Sequence, residues 1–232
     1  MLLTAHYLAS RFPRGLHGVV FDCDGVLFDS RAANMRYYNL ILEKLGLGPM
    51  TAAQEDYVHM HTVGESLVHI IPPAMHDRMG WARKQVDYLK EIVPSMEPEP
   101  GLLEFLALLR DNGVRMAVHT NRTNSMEYVL DVFDMSGFFH PVMTASKVVA
   151  KPHPEGVNKV LEAWECGRDE IAFVGDSLLD SQAAHSAEVP FWAFRNETLQ
   201  AERHINDFWS LRAQFVQYFS LLASGCSRPA LF

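Results

Sequence analysis

The chain has 232 residues, 48% of them hydrophobic and 21% charged, with a net charge of −8. That is enough apolar chain to bury a full core without metal or disulfide staples, and the acidic balance argues against nonspecific binding to nucleic acid or anionic membrane. Cys23, Cys166 and Cys226 are odd in number and far apart, so they read as reduced thiols rather than a disulfide framework or a zinc cluster.

The first residues, MLLTAHYLASRFPRG, have no basic start, and Arg11, Pro13 and Arg14 break their apolar run. This predicts no signal peptide, no membrane span and a cytoplasmic location. LHGVVF (16–21) is a short apolar run and predicts a buried strand. Residues 31–45 read as a helix stopped at Gly46. Gln85 to Val93 also predicts helix, with Ala82, Val86, Leu89 and Val93 on one face. Pro94, Pro98 and Pro100 then mark a linker.

Beyond the linker, helices and strands alternate. Leu102, Phe105, Leu106 and Leu109 share a helix face that ends at Asn112-Gly113, and VRMAVH (114–119) predicts a strand. Met126, Val129, Leu130 and Phe133 mark a second helix and PVMT (141–144) a short strand. Val157, Val160, Leu161 and Trp164 mark a third helix, followed by the strand IAFV (171–174), a helix over 178–187 and PFWAF (190–194) as the closing strand. Residues 202–232 read as a helix and a tail without a motif.

Such alternation implies an α/β fold with a Rossmann-like parallel sheet covered on both faces. Residues 1–29 and 96–232 would form this core, and residues 30–95 a small all-helical cap inserted after the first strand. Ligands of such sheets bind at the carboxyl ends of the strands. Four polar clusters fall there: Asp22-Cys23-Asp24-Gly25, Thr120-Asn121, Lys151, and Gly175-Asp176-Ser177 with Asp180 beyond. A lone aspartate at a strand end is commonly a helix cap, but four clusters in order on one sheet edge point to chemistry.

Carboxylates gathered at one edge repel unless a cation neutralises them, and hard oxygen ligands select Mg²⁺ at sites shared with phosphate. One carboxylate could attack phosphorus to form an aspartyl phosphate. A second could protonate the leaving oxygen and then deprotonate the hydrolytic water. Thr120 and Lys151 would bind the phosphoryl oxygens.

DCDGVLFDS, the Thr120 site, Lys151 followed by Pro152, and GDSLLD closely resemble the four motifs of the haloacid dehalogenase superfamily, in order and over nearly the whole chain. The resemblance implies Asp22 as nucleophile and Mg²⁺ ligand, and Asp24 as general acid/base whose backbone carbonyl also reaches the metal. It implies Thr120 and Asn121 at the phosphate, Lys151 neutralising nucleophile and phosphoryl group, and Asp176 as a Mg²⁺ ligand. Asp180 would hold a metal-bound water or Lys151, and Ser177 would cap the helix after Gly175-Asp176. True dehalogenases of this family lack the second acid, so Asp24 implies phosphate chemistry.

The inserted cap resembles that of phosphoglycolate phosphatases and β-phosphoglucomutases, and the Thr120-Asn121 pair resembles the former. The implied activity is a Mg²⁺-dependent phosphatase acting on a small phosphorylated metabolite such as phosphoglycolate or a sugar phosphate, as a monomer or homodimer. The alternatives are a phosphosugar mutase, which returns the phosphoryl group to sugar, and a non-catalytic phosphate-binding module. Residues 60–71 match the recognition segment of relatives only loosely.

Other residues take plainer readings. Asp29 and Ser30 shape the turn into the cap and cap its first helix. Cys23 is packing. Arg122 either reaches an anionic substrate or faces solvent, and Arg31 is a candidate for the cleft. His59, His61, His69 and His76 lack the spacing of a compact zinc site and read as surface or substrate-rim groups.

Overall fold

The computed structural model describes residues 1–61 and 63–224. Cys226, the expected tail and the side chain of His59 lie outside the described residues. Thr4 opens α1 (Ala5–Arg11), its hydroxyl accepting from the Tyr7 N–H. The chain then enters β1 (Gly18–Phe21), buried at every residue. β2 (Phe28–Asp29) precedes α2 (Arg31–Lys44), α3 (Ala52–Met60), α4 (Val63–Ile70) and α5 (Met79–Lys84). β3 (Glu97–Pro98) pairs with β2 as a two-stranded ribbon. There follow α6 (Leu102–Asp111), β4 (Arg115–Thr120), α7 (Met126–Val132), β5 (Val142–Thr144), α8 (Glu155–Trp164) and β6 (Ile171–Gly175). α9 (Leu178–Ser186), β7 (Phe191–Phe194), β8 (Arg203–Ile205) and α10 (Phe208–Ala223) complete the order.

Two compact units result, Met1–Phe28 with Pro98–Phe232, and Asp29–Glu97. The larger is built on a six-stranded sheet in the order β5-β4-β1-β6-β7-β8, parallel throughout. Alternate strand residues face opposite layers. Val20, Ala117, Phe173 and Ala193 pack with Val157, Val160 and Trp164 of α8 and Ala183 and Ala184 of α9. Phe21 and Trp192 point the other way, to Phe105 of α6, Phe215 of α10 and Tyr7 of α1. Both faces are therefore covered, as a parallel sheet requires.

α1, β8 and the short strands β2 and β3 were not expected from the sequence. α1 was hidden in a mixed segment, and β8 extends the sheet beyond the strand expected to close it. Arg203, His204 and Ile205 form no apolar run, and an edge strand needs none.

In the smaller unit, Thr51 and Gln54 close a capping box at the start of α3. The helix expected over 85–93 is not continuous. α5 ends at Lys84, and a single wide turn covers Tyr88–Ile92 before a tight one at Val93–Ser95. Asp87 accepts from the Lys90 N–H and so restarts the backbone bonding, while Pro94 has no N–H to continue it. Ala82, Val86 and Val93 are buried nonetheless, so the apolar spacing survives the break.

At the unit's first helix, Ser30 holds the cap position without a side-chain capping bond, its hydroxyl accepting from Asn34 Nδ2 at 3.5 Å, and Asp29 Oδ1 accepts from the Arg31 N–H. Arg31 is exposed, 3.7 Å from Asp56. His61 and His69 each stack on Tyr57 with centroids 3.7 Å apart, and His76 Nε2 lies 2.8 Å from the Ile71 carbonyl.

Candidate active site

Asp22 directly follows β1, and its N–H donates to the Val174 carbonyl at 3.0 Å, which carries the β1–β6 ladder one residue further. Thr120 ends β4 and Asp176 directly follows β6. Because β4, β1 and β6 are parallel neighbours, their three polar residues emerge at one edge of the sheet. Asp22 and Thr120 are buried there.

After Asp22 the chain must turn sharply. The Leu27 N–H donates to the Cys23 carbonyl and the Gly25 N–H to that of Phe28, both at 2.9 Å. Gly25 has φ of +74°, and a Cβ there would lie 2.0 Å from Oδ2 of Asp176. Only glycine satisfies both demands. Cys23 is fully buried inside this turn, and burial pushes its thiol up from the ordinary range, so it packs rather than reacts.

Lys151 arrives from the loop between β5 and α8. Its Nζ lies 2.6 Å from Asp22 Oδ1 and 2.5 Å from Asp180 Oδ1. The loop is held by Asn121, whose Oδ1 accepts from the Lys151 N–H at 2.7 Å while its Nδ2 donates to the Lys151 carbonyl at 3.1 Å. Ser177 caps α9 in a capping box with Asp180, and its hydroxyl donates to Asp180 Oδ2 at 2.5 Å. Asp180 thereby uses one oxygen on Lys151 and the other on Ser177.

Asp22, Asp176 and Asp180 each place a carboxylate oxygen within 4.8 Å of the others. Burial, then the neighbouring Asp180 charge, raise the Asp22 carboxyl well above its usual range and Asp176 to about 7. Burial alone would lower the Lys151 ammonium, but Asp180 and Asp22 more than offset this and hold it above the ordinary lysine value. With Asp24, four aspartates meet the two cations Lys151 and Arg122, leaving two formal negative charges. An all-oxygen donor set with that imbalance fits one hard divalent cation.

Two contributors were not legible in the sequence. Arg122 does not face solvent: its side chain is 7% exposed and makes a two-bonded ion pair with Asp24, Nη2 to Oδ1 at 2.7 Å and Nε to Oδ2 at 2.8 Å. A bidentate carboxylate partner 98 residues away leaves no local pattern. Asn196 Nδ2 donates to the Asp176 carbonyl at 2.8 Å. Its place two residues beyond β7, at the same sheet edge, was the available clue.

Residues 19–194 match the family described as haloacid dehalogenase-like hydrolase. The chain belongs to that family. Among solved structures, a haloacid dehalogenase superfamily hydrolase of subfamily IA from Geobacter sulfurreducens is 37% identical, with a TM-score of 0.77 over 84% of this chain and 94% of that one. Among curated relatives, the phosphoglycolate phosphatase of Caulobacter vibrioides is 28% identical over 184 residues, 74% of this chain and 76% of that protein. The phosphoglycolate phosphatase of Yersinia pestis is 28% identical over 193 residues, covering 76% and 80%. The chain is thus a haloacid dehalogenase-like hydrolase with an α/β core, and no helix among its described residues is long and apolar enough to cross a membrane.

Proposed function

We propose that this hydrolase is a Mg²⁺-dependent phosphatase that cleaves a small phosphomonoester through an aspartyl phosphate on Asp22. The observation that carries the reading is the Lys151 ammonium, held between Asp22 and Asp180 at the edge where Thr120 and Asp176 also emerge. Phosphoglycolate is the first substrate to test, because the curated relatives above bear that activity in their names.

Each residue then has a defined task. An Asp22 oxygen attacks phosphorus, and the bond from phosphorus to the ester oxygen breaks. Asp24 gives that oxygen a proton, and the alcohol leaves. Asp24 next takes a proton from water, whose oxygen attacks the phosphorus of the aspartyl phosphate. Inorganic phosphate and the Asp22 carboxylate are released, and Asp24 is again protonated. Net, ester and water give alcohol and phosphate.

Lys151 offsets the charge gathered on Asp22 and the phosphoryl oxygens, and the Thr120 hydroxyl contributes a hydrogen bond to them. Asn121 supports this indirectly, its amide being bonded to the Lys151 backbone. Mg²⁺, held by Asp22, Asp176 and the Asp24 backbone carbonyl, would supply Lewis-acid stabilisation of phosphoryl charge. Asp180, with both oxygens engaged by Lys151 and Ser177, positions the lysine. We read the enzyme as cytoplasmic, and as a monomer or homodimer, from its sequence.

The test is a panel of small phosphomonoesters with Mg²⁺, including 2-phosphoglycolate and hexose phosphates, with release of inorganic phosphate measured. Release that disappears in Asp22→Asn supports the phosphatase. Isomerised sugar phosphate without release would replace it by the mutase, and no turnover of any ester would defeat both.

A further inference from the structure

Arg122 is bound on every side of its backbone and then turned inward. Its N–H donates to Thr120 Oγ1 at 3.2 Å, and its carbonyl accepts from the Ala145 N–H at 2.9 Å. Pinned this way between the end of β4 and the end of β5, the residue sends its guanidinium under Asp24. The side chain of Arg122 is 7% exposed and that of Asp24 34%. The cation is therefore the more deeply buried partner, and the carboxylate keeps about a third of its side-chain surface exposed.

The pairing is a fork: two nitrogens of one guanidinium on the two oxygens of one carboxylate, at 2.7 and 2.8 Å. Such a pair fixes the plane of the carboxylate as well as its position, which a lysine cannot do.

We propose that Arg122 is a positioning residue for Asp24, holding its carboxylate in the orientation from which it exchanges protons with the ester oxygen and the attacking water. The proposal rests on Asp24 being the general acid/base of the phosphatase reading. Arg122 itself transfers no proton and makes no bond to phosphorus.

A general acid matters most when the leaving group is a poor one. An alkoxide must be protonated as it departs, whereas p-nitrophenolate leaves without help. The experiment compares kcat/KM, with Mg²⁺, for p-nitrophenyl phosphate and for the best alkyl phosphomonoester of the panel above. Arg122→Met is expected to lose at least about tenfold more on the alkyl ester than on the aryl ester, within the range of general acid catalysis. Asp24→Asn should show the same split, and adding Arg122→Met to Asp24→Asn should not widen it. Arg122→Lys, which keeps charge but not the fork, should recover little of the loss. It also carries the comparison if Arg122→Met does not fold.

The outcomes separate cleanly. If Asp24→Asn shows the split and Arg122→Met lowers both substrates equally, Arg122 is only structural and the proposal is overturned while the acid/base reading stands. A split that widens again in the Asp24→Asn background places Arg122 on the substrate instead, which also overturns it. If Asp24→Asn itself shows no split, the acid/base reading fails and this proposal falls with it.

Discussion

The ammonium of Lys151 lies 2.5 Å from Oδ1 of Asp180, a carboxylate whose side chain has no exposed surface. Neither group would be tolerated there alone, because an isolated buried charge is severely penalised. The pair orients the lysine so that Asp22, 2.6 Å away, shares it. Breaking the pair should thus disturb stability and chemistry together.

Asp180→Ala is expected to cost about 3 kcal/mol, the lower end for breaking a buried pair, because Asp22 remains as partner. Urea unfolding with chelator present measures this. Asp180→Asn, whose single amide oxygen can still accept from Lys151 while its Nδ2 donates to the Ser177 hydroxyl, should lose less stability.

The raised carboxyls make a signed prediction about pH. Asp176 stands at about 7 in the fold against 3.8 ordinarily. The folded form therefore binds this proton more tightly than the unfolded chain, and the stability it adds below the ordinary value is lost as pH rises towards 7. A divalent cation reverses the penalty by favouring the ionised form. Mg²⁺ should raise the melting temperature more at about pH 8 than at about pH 5. An equal shift at both would contradict the assignment.

His119 has the opposite sign. It is fully buried beside Phe173, and neither ring nitrogen has a hydrogen-bond partner among the described residues. Burial first, and Lys151 second, lower it from 6.5 to about 3. The unfolded chain binds this proton more readily, so stability present above 6.5 is lost as pH falls towards 3. His119→Leu should flatten that acid-side loss, as read by melting temperature.

Gly25→Ala adds a Cβ at a positive φ and within 2.0 Å of Asp176 Oδ2. The strain costs roughly 1–2 kcal/mol, and Asp176 must move. Half-maximal Mg²⁺ in a phosphatase assay should rise about tenfold or more, as when a ligand's support is disturbed.

The parallel core was legible because buried strands read as apolar runs and helices as stripes of period 3.6. Asp22, Thr120 and Asp176 could be expected together because each stands at or next to a strand's end, and Lys151 because it lies in the loop that follows a strand; a parallel sheet delivers those ends to one edge. What escaped depends on contacts between distant residues. Arg122 has a charge pattern that fits solvent equally well, and only the fold shows that Asp24 waits for it. β8 is specified by its pairing with β7 and not by its own residues. The break before Tyr88 escaped because the apolar spacing runs through it and the decisive competitor is one aspartate side chain, Asp87.

Asp22 is the residue expected to carry the phosphoryl group. Rapid acid quench of the Mg²⁺-loaded enzyme during turnover of its best phosphomonoester, followed by peptide mass mapping, tests it directly. A phosphoryl adduct is expected on the peptide containing Asp22, absent in Asp22→Asn, which should also release no phosphate. Full phosphate release by Asp22→Asn, or an adduct confined to another residue, would contradict it.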